Sequence, residues 1–184
     1  MSIASYAQQA VSYTQTMLGW FPSNHGVAQV LSLGGSNRCV RDMRAAVRPN
    51  LDYNTIMNIR RQAGAAKARH CGNCGEYAAV AFDYLMLAGC PYPLEYANYA
   101  PPGDHAFVIV GRPLNSIAGN LSTWGREAVI CDAWAGKVVP SSDYWSRMPG
   151  FPQVVHAPVV QVRWMGGGEG LGDHPDRPGG RRPA

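Results

Sequence analysis

The sequence predicts an α+β domain in which helices come first and an antiparallel sheet follows. Up to residue 88 the apolar residues recur at helical spacing, and from residue 94 they fall into short strand-like runs separated by proline and glycine turns. At the changeover lies a nearly all-apolar helix, the kind that belongs inside a core. With 184 residues and 46% hydrophobic composition the chain can bury a substantial core, so wholesale disorder is excluded and one domain plus tails is expected.

Ser2 can cap a first helix whose stripe is Ile3, Tyr6, Ala7, Ala10, Val11, Tyr13, Met17 and Leu18, ended by Gly19 and Pro22. Its polar face carries no lysine or arginine, which argues for packing on its own domain rather than on a membrane. A short apolar segment, 27–33, closes at Gly34-Gly35, a pair that lacks the spacing and Lys-Ser/Thr ending of a phosphate loop. Ser36 or Asn37 then caps a second helix with Val40, Met43 and Val47 on one face, stopped at Arg48-Pro49. Asn50 or Asp52 is expected to start a third, with Tyr53, Ile56, Met57 and Arg60 on one side. The fourth follows Gly72-Asn73-Cys74-Gly75-Glu76, buries Ala78, Ala79, Phe82, Leu85 and Met86, and stops at Gly89 with Pro91 beyond. Strands are expected at 94–99, 106–110, 128–131, 137–139 and 159–164, the last half-exposed by its alternation. Beyond Trp164 the composition collapses to mainly Gly, Pro, Asp and Arg, giving a catalytic domain over 1–165 and a flexible tail over 166–184.

Charge excludes some partners. Residues 38–69 hold eight basic side chains against Asp42 and Asp52, but they form no aromatic-interleaved basic run of the kind single-stranded nucleic-acid binders use, so no nucleic-acid partner is expected. A solvated helix surface is the simpler reading, with an acidic or membrane partner left open. No apolar run is long enough to span a bilayer, and residues 1–20 lack the pattern of a cleavable secretory signal. Cytoplasmic action, or export by a specialised system, is the expectation. Five cysteines, at 39, 71, 74, 90 and 131, do not resemble a disulfide framework, so reduced thiols are expected.

Cys74 stands at the start of the fourth helix, where the positive end of the helix dipole and free backbone N–H groups favour a thiolate and can hold an oxyanion. Gly72 and Gly75 leave room for a substrate carbonyl, and Asn73 is a further candidate contact. Downstream, Asp104-His105-Ala106-Phe107-Val108-Ile109-Val110 and Cys131-Asp132-Ala133-Trp134 put a histidine at the start of one strand and an aspartate at the end of the next. Pairing Gly111 near Arg126 in a hairpin brings His105 directly opposite Asp132, in reach for a carboxylate to orient an imidazole.

Residues 72–134 resemble the transglutaminase-like core of the papain-like cysteine enzyme superfamily. The resemblance rests on Gly72-x-Cys74 before an alanine-rich helix, on the Asp104-His105 strand, on Cys131-Asp132-x-Trp134, and on the order Cys, His, Asp. It is also similar to bacterial effector and toxin domains that act on host proteins as glutamine deamidases, transglutaminases or proteases. The resemblance implies a nucleophile at a buried helix N-terminus packed on an antiparallel sheet. Cys74 would be the thiolate, His105 the base and later acid, Asp132 the orienting residue, and Trp134 a shield, with Asn73 and Gly75 at the substrate. It implies a protein substrate, no cofactor and no metal. No side-chain oxyanion donor is evident, Gln62 being only a guess. Two other chemistries stay open: a redox dithiol at Cys71-x-x-Cys74, and zinc held by His70, Cys71, Cys74 and His105. A non-enzymatic binding module on the same fold is also open.

Overall fold

The computed structural model describes residues 1–19, 22, 35–47, 55–149 and 154–165. The expected segment 27–33 and tail 166–184 lie outside them. Helix α1 (Ile3–Leu18) begins where the Ser2 hydroxyl accepts the Ser5 N–H, and it buries Ile3, Ala7, Ala10, Val11 and Leu18. Helix α2 (Gly35–Val47) buries Val40 and Met43.

Helix α3 (Ile56–Arg69) departs from expectation twice. Its cap is Thr55, whose hydroxyl accepts the Asn58 N–H, rather than Asn50 or Asp52, which lie outside the described residues. Its inward face is Ile59, Gln62, Ala63 and Ala66, while Met57 is 58% exposed. The small alanines let α3 approach α4 (Cys74–Leu87) closely, and that packing, rather than the bulk of Met57, selects the face.

Helix α4 is the spine of the molecule. From Glu76 to Leu87 every residue except Tyr84 is buried, including two carboxylates. Glu76 accepts both arms of the Arg44 guanidinium at 2.8 Å and the Gln62 amide at 2.6 Å. Asp83 takes Arg60 at 3.0 Å and Lys67 at 3.1 Å. Part of the basic stretch 38–69 is therefore internal counter-charge that docks α2 and α3 on the spine, a role burial demands of any ionised carboxylate.

The remaining chain forms one antiparallel sheet in the order β4-β3-β2-β1-β5, with β1 (Leu94–Tyr99), β2 (Ala106–Val110), β3 (Val129–Asp132), β4 (Lys137–Pro140) and β5 (Pro158–Trp164). One face carries Leu94, Tyr96, Val108, Val110, Cys131 and Val162 against α1 and α4. The other carries Ala97, Tyr99, Phe107, Ile109 and Ile130 under Trp124, Tyr144 and Met148. The short helix α5 (Tyr144–Arg147) belongs to that second cover. The mixed α+β class is as expected, helices first and an antiparallel sheet afterwards. No helix among the described residues is long and apolar enough to cross a membrane.

The cysteines do not behave as expected. Cys39 on α2 is bonded to Cys71, just before α4, across a sequence separation of 32; Cys74, Cys90 and Cys131 are free. The odd count and irregular spacing concealed a single bridge whose partners meet only once α2 lies against the end of α3. A cross-link closing a loop of about 32 residues removes roughly 3 to 4 kcal/mol of unfolded-chain entropy. The Cys39→Ser/Cys71→Ser double variant is expected to unfold at lower urea concentration, with a stability loss of that order. An unchanged midpoint would show that the bridge constrains nothing.

Candidate active site

The turn between α3 and α4 sets the position of Cys74. His70 closes α3 in the left-handed region at φ 52°, its Nδ1 beside the Met17 carbonyl at 2.8 Å, and Cys71 is tied back to α2. At Gly72 a Cβ would sit 2.5 Å from the Glu76 Cβ, so this glycine makes room for the buried carboxylate rather than for substrate, correcting the sequence reading. Glu76 then accepts the Asn73 N–H at 2.8 Å and fixes the first turn. The first helical bond runs from the Tyr77 N–H to the Asn73 carbonyl at 3.0 Å, which leaves the Cys74 and Gly75 N–H groups ahead of it without an intrahelical acceptor.

His105 immediately precedes β2, its carbonyl accepting the Tyr99 N–H at 2.9 Å. The β2–β3 register pairs Val108 with Cys131 and Val110 with Val129, two residues away from the expected pairing. Continued outward, it places Asp132 opposite Phe107 and makes His105 a diagonal neighbour. Because strand side chains alternate with a period of two, the shift keeps both residues on one face. Their side chains span the diagonal: His105 Nε2 donates to Asp132 Oδ2 at 2.9 Å. Asp132 Oδ1 accepts the Ala135 N–H at 3.0 Å, so both carboxylate oxygens are engaged in a fully buried setting.

The imidazole is 7% exposed and stands between the rings of Trp134, at 5.2 Å and 71°, and Tyr99, at 5.3 Å. Cys74 lines the same cleft wall beside it. Burial alone would push its pKa down. The Asp132 charge and hydrogen bond, joined by those of Cys74, outweigh burial and raise it from 6.5 to about 9. The folded value lies above the unfolded one, so the stabilisation is complete below 6.5 and is lost as pH rises through about 9. Asp132→Asn is therefore expected to cost more unfolding free energy at about pH 6 than at about pH 10. Equal costs at both would contradict the ion pair.

Half-buried Cys74 opens with His105 onto a cleft of about 390 Å³, also lined by Gly75, Tyr96, Asn98 and Gln161. The structure thus brings together Cys74, His105, Asp132, Gly75 and Trp134. It does not bring Asn73, which lines a separate pocket with Asn37, Val40 and Arg44 and whose backbone N–H is held by Glu76. Gln62 directs its amide at Glu76 and is not aimed at the cleft. Cys71, with its sulfur bonded to Cys39, forms no dithiol with Cys74 and offers no thiolate to zinc.

Three contributors went unread in the sequence. Glu76 was visible as the acidic member of an Asn-x-x-Glu capping pattern at 73–76. Tyr96, whose hydroxyl donates to the Gly75 carbonyl at 3.3 Å, and Asn98 carried no local signal beyond a polar residue in an otherwise buried strand. No protein-family model matches the chain, and no curated protein does either. The geometry and the sequence resemblance therefore carry the functional reading.

Proposed function

We propose that the protein is a papain-like cysteine acyltransferase, forming a thioester at Cys74 from the side-chain amide of a glutamine in a protein substrate. The observation that carries this is the set Cys74, His105 and Asp132: a thiol at a helix start lining one open cleft with an imidazole that a buried carboxylate holds. The choice of a glutamine side chain over a peptide bond rests on the transglutaminase-like resemblance.

In this reading the Cys74 thiol passes its proton to His105 as its sulfur attacks the amide carbonyl and forms the carbon–sulfur bond. The tetrahedral oxyanion collapses, the carbon–nitrogen bond breaks, and His105 gives its proton to the departing ammonia. His105 then accepts a proton from water or an amine as that nucleophile opens the thioester, releasing glutamate or a cross-linked amide. Asp132 keeps the ring oriented throughout, and Trp134 and Tyr99 restrict its rotation.

Mass spectrometry of candidate target proteins incubated with wild type and with Cys74→Ala tests the reading. A gain of about one mass unit at a glutamine indicates deamidation, and an amine adduct indicates cross-linking. A new chain terminus dependent on Cys74 would replace the glutamine reading with proteolysis.

A further inference from the structure

We infer that Asn98 is the side-chain donor that stabilises the oxyanion, an assignment that rests on the acyl-transfer reading above and completes it. Asn98 lies on β1 on the same face as Tyr96, directly across from Ala106, the residue after His105. The Tyr96 hydroxyl reaches the Gly75 carbonyl, so this face of β1 abuts the first turn of α4. Two residues further along the same face, Asn98 lines the cleft together with Cys74 and His105.

Its surroundings are spoken for. On the cleft, Arg44 is bonded to Glu76, the Tyr99 hydroxyl donates to the Pro149 carbonyl and the Tyr96 hydroxyl to Gly75, while the other amide, Gln161 of β5, is exposed. The half-buried Asn98 carboxamide makes no hydrogen bond to another described residue. Asparagine is disfavoured in strands and β1 is otherwise buried, so the one amide in it that opens on the cleft is placed to meet a bound group there. A β-bulge in the pairing with β5, between Tyr96 and Ala97, irregularly spaces the two strands next to this position, as bulges beside binding sites do.

The chemistry fits a neutral amide. When sulfur adds to the substrate carbonyl, the π electrons move to oxygen. The Asn98 Nδ2–H and the Cys74 backbone N–H, which has no intrahelical acceptor, then converge on that anion from strand and helix. A carboxamide does this without adding a charge beside the Cys74–His105 pair.

Two reagents separate this role from others. Acylation of Cys74 by p-nitrophenyl acetate passes through an oxyanion, whereas alkylation by iodoacetamide does not. Asn98→Ala is expected to slow acylation roughly 10²- to 10³-fold while alkylation changes less than about twofold. Asn98→Leu, closer in size, repeats the comparison should the alanine variant fold poorly, and preserved alkylation shows in each case that Cys74 and His105 are still assembled. Acylation that is unchanged overturns the assignment, and so does a parallel fall in both rates, which would mark Asn98 as positioning the thiol. A wild-type Cys74 that neither reagent modifies faster than free cysteine overturns the acyl-transfer reading itself, and with it any oxyanion for Asn98 to hold.

Discussion

Cys74→Ala and His105→Ala are each expected to lower acyl transfer by at least about 10⁴-fold while the protein remains folded. The first removes the only described thiol on the cleft; the second removes the imidazole that shares the cleft with it. Losses from members of one catalytic unit do not add, so the double variant should be no worse than either single. Circular dichroism and urea unfolding check the fold. His105→Ala carries a packing cost, since its ring fills space between Tyr99 and Trp134, whereas half-buried Cys74 carries little. A residual rate within tenfold of wild type in Cys74→Ala would remove the nucleophile assignment.

The largest expected stability loss lies far from the chemistry. Glu95 in β1 is fully buried, and Arg112 grips it with two bonds of 2.6 Å while also donating to Ser116 and lying over the Trp124 ring at 5.7 Å. Arg163 of β5 adds a third contact from a more exposed position. Arg112→Ala strands a buried carboxylate and frees the loop after β2, so a loss of about 3 to 5 kcal/mol is expected in urea unfolding. Arg112→Lys should recover little, because one ammonium cannot reproduce the planar fork. Arg112 sits at the opposite end of β2 from His105, so the folded fraction should keep its activity. A loss below about 1 kcal/mol would mean that Arg163 and water suffice.

The elements were legible wherever one face repeats. Alternation marked β5, and helical spacing marked α1 and α4, because those signals follow from how each element buries itself. The β2–β3 register was less so: the loop over 112–127 obeys no turn rule, and Arg112 and Trp124, which shape it, act through contacts distant in sequence. His105 and Asp132 meet despite the two-residue difference in register because a period of two returns both side chains to the same face. Cys39–Cys71 and the Glu76 cluster were illegible for a common reason. Each joins α2 or α3 to α4, and helix-to-helix docking leaves no mark in a local pattern. Within the candidate site, Cys74, His105 and Asp132 could be read from order and element ends, whereas Asn98 needed the cleft.

The disulfide bears on where the protein works. Such bridges persist in oxidising surroundings, and here one fastens the segment just ahead of Cys74. It also leaves Cys90 and Cys131 as internal standards: both are fully buried, and burial raises both thiols above their ordinary pKa.

The central claim is that His105 activates Cys74, and site-resolved alkylation measures it directly. Treated with iodoacetamide near neutral pH and mapped by peptide mass, Cys74 of the folded protein should be modified at least about tenfold faster than free cysteine while buried Cys90 and Cys131 stay unmodified, and His105→Ala should abolish most of the Cys74 advantage. A Cys74 that reacts no faster than free cysteine and is indifferent to His105→Ala would contradict the account.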